Sequence, residues 1–270
     1  MIDYCIFSGG SASGHRNAAA FTAYYAANML IEHNTFSGVS AGPNFKGALL
    51  GPPRQYNSGT IRYNKIIDCS TSGIIVDSSD ATLRTYVYQN IVVRAGHYGI
   101  LIDNALDPSN YTTQNISVYN NTVVDSALSN FIAQPFTGTY GGHVFRDNIS
   151  AFTSSTTAIA CDLQSHTSSD FTTLDYNLYW ESGTSAQFIQ NSATSTGLAA
   201  WKTATGTETH STEGSPNFTN AASDIYTLSV ADTGSSTGGA RGAYITGSEL
   251  IGAVEPAGGT TTNVGPVFLL

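Results

Sequence analysis

Residues 61–66, 87–92 and 118–123 read Ile-Arg-Tyr-Asn-Lys-Ile, Val-Tyr-Gln-Asn-Ile-Val and Val-Tyr-Asn-Asn-Thr-Val. Each opens on an apolar residue, carries Asn at its fourth place and returns to an apolar residue at its sixth. Segments 2–7, 31–36, 145–150 and 174–179 fit the same frame, apart from Cys5 at the fourth place of the first and Ser150 at the sixth place of another. Taken at the fourth place, the series is Cys5, Asn34, Asn64, Asn90, Asn121, Asn148 and Asn177, at intervals of 29, 30, 26, 31, 27 and 29 residues. A strand this short cannot bury its apolar side alone, so the copies must stack on one another. A second apolar run follows in five copies, at 47–51, 73–77, 99–103, 130–134 and 158–162.

Two or three short strands per repeat, joined at Gly, Ser and Asn corners, describe a coil that rises one strand spacing, about 4.8 Å, per turn. The sequence therefore predicts an all-β protein, a right-handed parallel β-helix solenoid of about six to seven coils with an irregular C-terminal segment. Composition agrees: 11% of residues are charged, and 15 Tyr accompany 12 Phe, which suits strands and turns better than long helices. A propeller needs four strands in roughly 40–50 residues, and a leucine-rich repeat needs a Leu consensus that this chain lacks. Stacked Asn amides have a structural use at such a turn, where they hydrogen-bond one another and the backbone groups leaving the ladder.

The strands, together with Ser72-Gly-Ile-Ile-Val-Asp77 and Tyr98-Gly-Ile-Leu-Ile-Asp103, resemble the pectate-lyase-like superfamily of right-handed parallel β-helix proteins, over residues 2–180. Asp175-Tyr-Asn-Leu-Tyr-Trp180, Trp201, His210-Ser211 and Ser215-Pro-Asn-Phe218 are similar to the C-terminal part of bacterial and phage β-helix proteins. The resemblance implies a carbohydrate-related role outside the cell, at the cell surface or on a virion, as in phage tailspikes. It divides the chain into a β-helix at 1–180 and a C-terminal segment at 181–257 packed on or extending it, and the composition of 258–270 reads as a linker with an apolar tail.

Charge and cysteine content narrow the partners. A net charge of -9 with 10 Lys+Arg offers no basic stripe for phosphates, so nucleic acid is not expected. No apolar run of membrane-spanning length occurs, and no membrane insertion is expected. Cys5, Cys69 and Cys161 lie far apart without a ligand-like pattern, so they read as small core residues and no metal site is assigned. The first copy starts at residue 2, with no room before it for a capping helix. An uncovered end templates further pairing, so the chain is expected to be a homo-oligomer or part of a longer chain or assembly.

Stacking turns sequence register into neighbours, which yields two candidate sites. The second strands end in a column of Gly51, Asp77, Asp103, Gln134 and Asp162, with Asp77 and Asp103 one turn apart, about 5 Å. That spacing suits the carboxylate pair of a glycosidase, and close carboxylates hold one proton near neutrality. Arg84 and Arg54, in the following loops, could bind an acidic sugar. The resemblance to polysaccharide lyases implies that these arginines would instead assist proton abstraction beside a bound Ca²⁺, so that Asp77, Asp103 and Arg84 are the candidate catalytic residues. The bland alternative is that these Asp residues hydrogen-bond the next turn.

The second column leaves the first strand outward: Asp3, Glu32, Arg62, Tyr88, Tyr119, Arg146 and Asp175. Adjacent tyrosines flanked by Arg and Glu could stack sugar rings and bind their hydroxyls. The alternative is a surface ladder with an exposed ion pair of small value. His97, in Gly96-His-Tyr-Gly99, is similar to one element of the polygalacturonase signature, but the companion motifs are missing and His97 is given no role. Three readings stay open: a lyase or hydrolase acting on an acidic polysaccharide, a polysaccharide-binding module without catalysis, and a structural fibre, adhesin or phage tail subunit.

Overall fold

A computed structural model describes residues 1–3, 5–8, 19–24, 28–46, 58–77, 84–103, 111–134, 138–154, 157–228, 232–243, 262–263 and 267–268. Three sheets run the length of the stack, parallel throughout except where Ala193–Thr196 pairs antiparallel with Gln187–Gln190 at one edge of the third. The first holds seven strands, from Ile2–Asp3 and Met29–Glu32 to His143–Arg146 and Phe171–Asp175. The second and third hold nine each, because strands from the C-terminal part are added to the seven that the repeat supplies. The chain is a parallel β-solenoid. Among the described residues no helix is long and apolar enough to cross a membrane.

Register follows the repeat. Ile31, Ile61, Val87, Val118, Phe145 and Leu174 are successive Cα partners in the first sheet. Their side chains are buried, together with Phe36, Ile66, Val92, Val123 and Tyr179 of the second sheet. The third sheet contributes Ile74, Val76, Ile100, Ile102, Phe131, Ala133, Cys161 and Phe188 to the same core. Burying these columns inside the coil is what drives stacking, at about 25 cal/mol per Å² of apolar surface. Cys69 and Cys161 are free and buried there, whereas Cys5 is half-buried.

From Met29–Glu32 onward, two residues form each corner between the first and second sheets. The leading one is left-handed in each: His33, Tyr63, Gln89, Asn120, Asp147 and Tyr176 have φ of 53°, 55°, 57°, 52°, 58° and 61°. The next is the ladder Asn. Its Oδ1 accepts the backbone N–H of the Asn one turn earlier, at 3.0 Å from Asn34 to Asn64, 3.1 Å from Asn64 to Asn90 and 3.1 Å from Asn90 to Asn121. Its Nδ2 donates to carbonyls that leave the first sheet, such as Ile61 O at 2.9 Å for Asn90. Six side chains thereby satisfy a buried corner that the sheet ladders cannot reach.

The ladder ends on a buried acid. Glu208 accepts from Asn177 Nδ2 at 3.1 Å, from the Tyr179 hydroxyl at 2.6 Å and from the Ser211 hydroxyl. It has no solvent exposure, and burial pushes its carboxyl above the usual range against those hydrogen bonds.

Helix α1 (Leu198–Thr205) closes this end of the stack, with Trp201 stacked on Phe188 at 5.0 Å and fully buried. Glu213 accepts from the Leu198 N–H at 3.1 Å at the start of that helix. Tyr226 and Ala243 lie against Tyr63, Ile91, Val93, Val124 and Ile149, so the C-terminal segment covers the outer face of the second sheet. Arg94 ties the two together, bridging Asp68 at 2.7 Å and Asp224 at 2.6 Å.

Candidate functional site

The outward row of the first sheet is continuous. Asp3, Glu32, Arg62, Tyr88, Tyr119, Arg146 and Asp175 are successive Cα partners without a break. Strand alternation explains why: the residue before each row member is a core residue, so the row member must point out. Tyr88 and Tyr119 stack with ring centroids 4.9 Å apart and planes 6° from parallel. The Arg146 guanidinium lies 4.9 Å from the Tyr119 ring centre, within the range of cation–π attraction. Arg62 donates to Glu32 at 2.6 Å and to the Tyr88 hydroxyl at 2.9 Å.

These contacts fix the charges. Burial alone would lower the Arg62 guanidinium, but its hydrogen bonds to Tyr88 and Glu32 outweigh burial and raise it. The Tyr119 phenol is pushed up to about 12, first by burial and then by Tyr88. Tyr119 therefore presents a neutral hydroxyl on a row that also carries the Arg62 and Arg146 guanidinium groups. Toward the far end, Arg146 is held by Asp147 and by Ser236 at 2.7 Å. Asp175 accepts from His210 Nδ1 and from the His210 N–H, both at 2.7 Å, while that imidazole stacks on Tyr176.

Beside the row lies a cleft of about 350 Å³ lined by Asn28, Leu30, Thr60, Arg62, Arg84 and Tyr86. Arg84 immediately precedes the strand Thr85–Tyr88. It reaches the next turn, donating to the Ser117 hydroxyl at 2.8 Å and facing Asn115 Oδ1 at 3.4 Å. Among the described residues, then, Arg84 hydrogen-bonds neutral groups and pairs with no carboxylate. Tyr86, two residues before Tyr88 and on the same outward side, is 39% exposed. Sequence register placed Arg84 with the aspartate column; the structure shows it lining the tyrosine face. Tyr86 was not singled out in the sequence, although its spacing from Tyr88 is the signal that finds it.

The aspartate column is shorter than register suggested. Asp77 pairs with Asp103, and Asp103 with Gln134, along the third sheet. Asp162 aligns instead with Ile132, because the inward residues Phe131 and Cys161 set the register and the last strand ends earlier. Asp162 lies beside Ile132 and accepts from the Gln164 N–H at 2.9 Å, as a turn residue does. The side chains of Asp77 and Asp103, and the whole of Arg54 and Gly51, lie outside the described residues. His97 stands at the corner before Tyr98–Asp103, edge-on to Tyr98. Among the described residues no cluster of three His, Cys, Asp or Glu gathers to hold a metal ion.

Fold and face together define a parallel β-solenoid that carries an aromatic and cationic strip along one sheet. Comparison with family models, with curated proteins and with solved structures finds no match to this chain.

Proposed function

We propose that the outward face of the first sheet binds an acidic polysaccharide laid across successive turns. The observation that carries this reading is Arg84, a cation whose described partners are neutral, in a cleft with the exposed Tyr86 and adjoining the stacked Tyr88 and Tyr119. A carboxylated sugar supplies what that arrangement lacks: an anion for the guanidinium and a ring with one apolar face for the phenols. Glu32, Arg62 and Arg146 hold the tyrosines in place and border the ligand's path. Polymers of this kind lie outside cells, and the chain would act there. The likeness of the repeats to pectate-lyase-like proteins points the same way, by analogy of fold and not by shared site residues.

The test is calorimetric titration of the 270-residue chain with oligogalacturonate and oligoguluronate, against a neutral xylo-oligosaccharide of equal length. Acidic oligomers are expected to bind and the neutral one not. A charge-assisted hydrogen bond contributes about 1.5–3 kcal/mol, so Arg84→Ala should weaken binding by about 10- to 100-fold. Equal affinity for neutral and acidic oligomers, or an indifferent Arg84→Ala, overturns the reading in favour of a structural role. Following unsaturated products and reducing ends in the same samples, with Asp103→Asn as control, reports separately on cleavage.

A further inference from the structure

One edge of the second and third sheets is formed by strands from the far end of the chain. Thr262–Asn263 runs parallel to Cys5–Ser8, with Thr262 beside Cys5 and Asn263 beside Ile6. Val267–Phe268 runs parallel to Ala19–Tyr24, with Val267 beside Phe21 and Phe268 beside Thr22. Their order, second sheet and then third, and their direction are those of a turn of the solenoid. Among the described residues the first sheet receives no such strand and ends at Ile2–Asp3. Ile2, at the edge of the first sheet, and Cys5 and Ile6, beside Thr262–Asn263, are all half-buried, while Phe7, one residue on, is 2% exposed and stacks on Phe36 at 4.6 Å.

Chain length permits the return within one molecule. The Ala243 N–H donates to Thr122 Oγ1 at 2.9 Å. Thr122 stands on the second sheet five strand positions from Thr262, about 24 Å at the usual spacing. Residues 244–261, extended, span up to roughly 60 Å. The other end of the stack is closed by α1 and Trp201, so the two ends are covered by different means.

We infer that Thr262–Asn263 and Val267–Phe268 form a tethered terminal rung, seated on the edge that would otherwise pair with the same edge of a second copy of this chain. Exposed strand edges template such pairing. Because α1 covers the opposite end, releasing the tail frees one edge per molecule. Pairing of that edge with itself is two-fold symmetric and stops at a dimer instead of growing a filament. The inference is independent of any ligand on the first sheet.

Thr262→Cys in the full chain tests the seating directly. Ladder neighbours stand about 4.8 Å apart, inside the Cα separation a disulfide accepts, and Cys69 and Cys161 are too buried to compete. Mild oxidation should give a monomer with an internal disulfide to Cys5, faster in a non-reducing gel and lighter by the two lost hydrogens. A covalent dimer, or thiols that stay free, would overturn the inference. Ending the chain at residue 257 should double the mass seen by light scattering, and a peptide of residues 258–270 should restore the monomer. A truncated chain that stays monomeric and ignores the peptide also overturns it.

Discussion

Replacing Asn90 by Ala should be among the most damaging single changes in this protein. The side chain sits mid-ladder without solvent exposure. Its Oδ1 accepts from the Asn64 N–H at 3.1 Å and from Asn64 Nδ2 at 3.0 Å. Its own Nδ2 shares two protons among Ile61 O at 2.9 Å, Tyr88 O at 3.0 Å and Asn121 Oδ1 at 3.0 Å. Truncation removes about three net hydrogen bonds at about 1 kcal/mol each and strands the Asn64 N–H at a further 1–3 kcal/mol. The expected loss is therefore roughly 4–6 kcal/mol, a large share of the 5–15 kcal/mol that folded domains typically hold. Urea unfolding followed by circular dichroism reads it as a fall in midpoint of more than about 1 M, at a slope near 3 kcal/mol per M. A fall worth less than about 1 kcal/mol would refute the argument, because the corner's backbone groups would then have found other partners.

Glu208 makes stability depend on pH in a definite sense. Burial raises its carboxyl above the ordinary glutamate range in the folded protein, so the folded state holds its proton longer. The stabilisation is complete below about 4.5 and is lost as pH climbs through the higher folded value. Subtracting the Glu208→Gln midpoints from those of the native chain should expose that slope, and parallel curves would contradict it. Gly99→Ala should destabilise by roughly 1–3 kcal/mol, since the new Cβ would stand 2.5 Å from the Asn130 carbonyl oxygen; an unchanged melting temperature would count against the close approach. Arg94→Ala should cost no more than about 1 kcal/mol despite two ion pairs, because the guanidinium is 39% exposed and water screens such pairs; a larger loss of denaturation free energy would mean that docking of Asp224 matters more than its exposure suggests.

The sheets and the outward row were legible because one interval repeats and one position alternates with the core. Seven residues spread from Asp3 to Asp175 were placed side by side by counting alone. Asp162 was misplaced because counting aligned strand ends, whereas packing aligns the bulky inward residues, here Phe131 against Cys161. The left-handed corner column left little trace, since Tyr63, Gln89 and Tyr176 are not residues that announce a positive φ, and His33, Asn120 and Asp147, which are of the enriched types, make up only half of it. Glu208 was equally silent: an isolated acid after a short helix gives no hint that it terminates a ladder of amides. The tail was read as a linker with an apolar end, and pairs of two residues are too short to show any period.

The corners also divide the molecule into parts that evolution or an engineer can treat differently. Between first and second sheets two residues intervene from the second rung on, as 33–34, 63–64, 89–90 and 120–121 do, and an insertion there would throw the amide column out of line. Between the third sheet and the next first strand the path is 78–84 in one turn and 104–115 in another, and the rungs on either side keep their register regardless. That side of the scaffold therefore accepts new sequence without renegotiating the interior. Because Arg84 ends one of those paths, lengthening or grafting there would reshape what the cleft admits while the frame beneath stays the same.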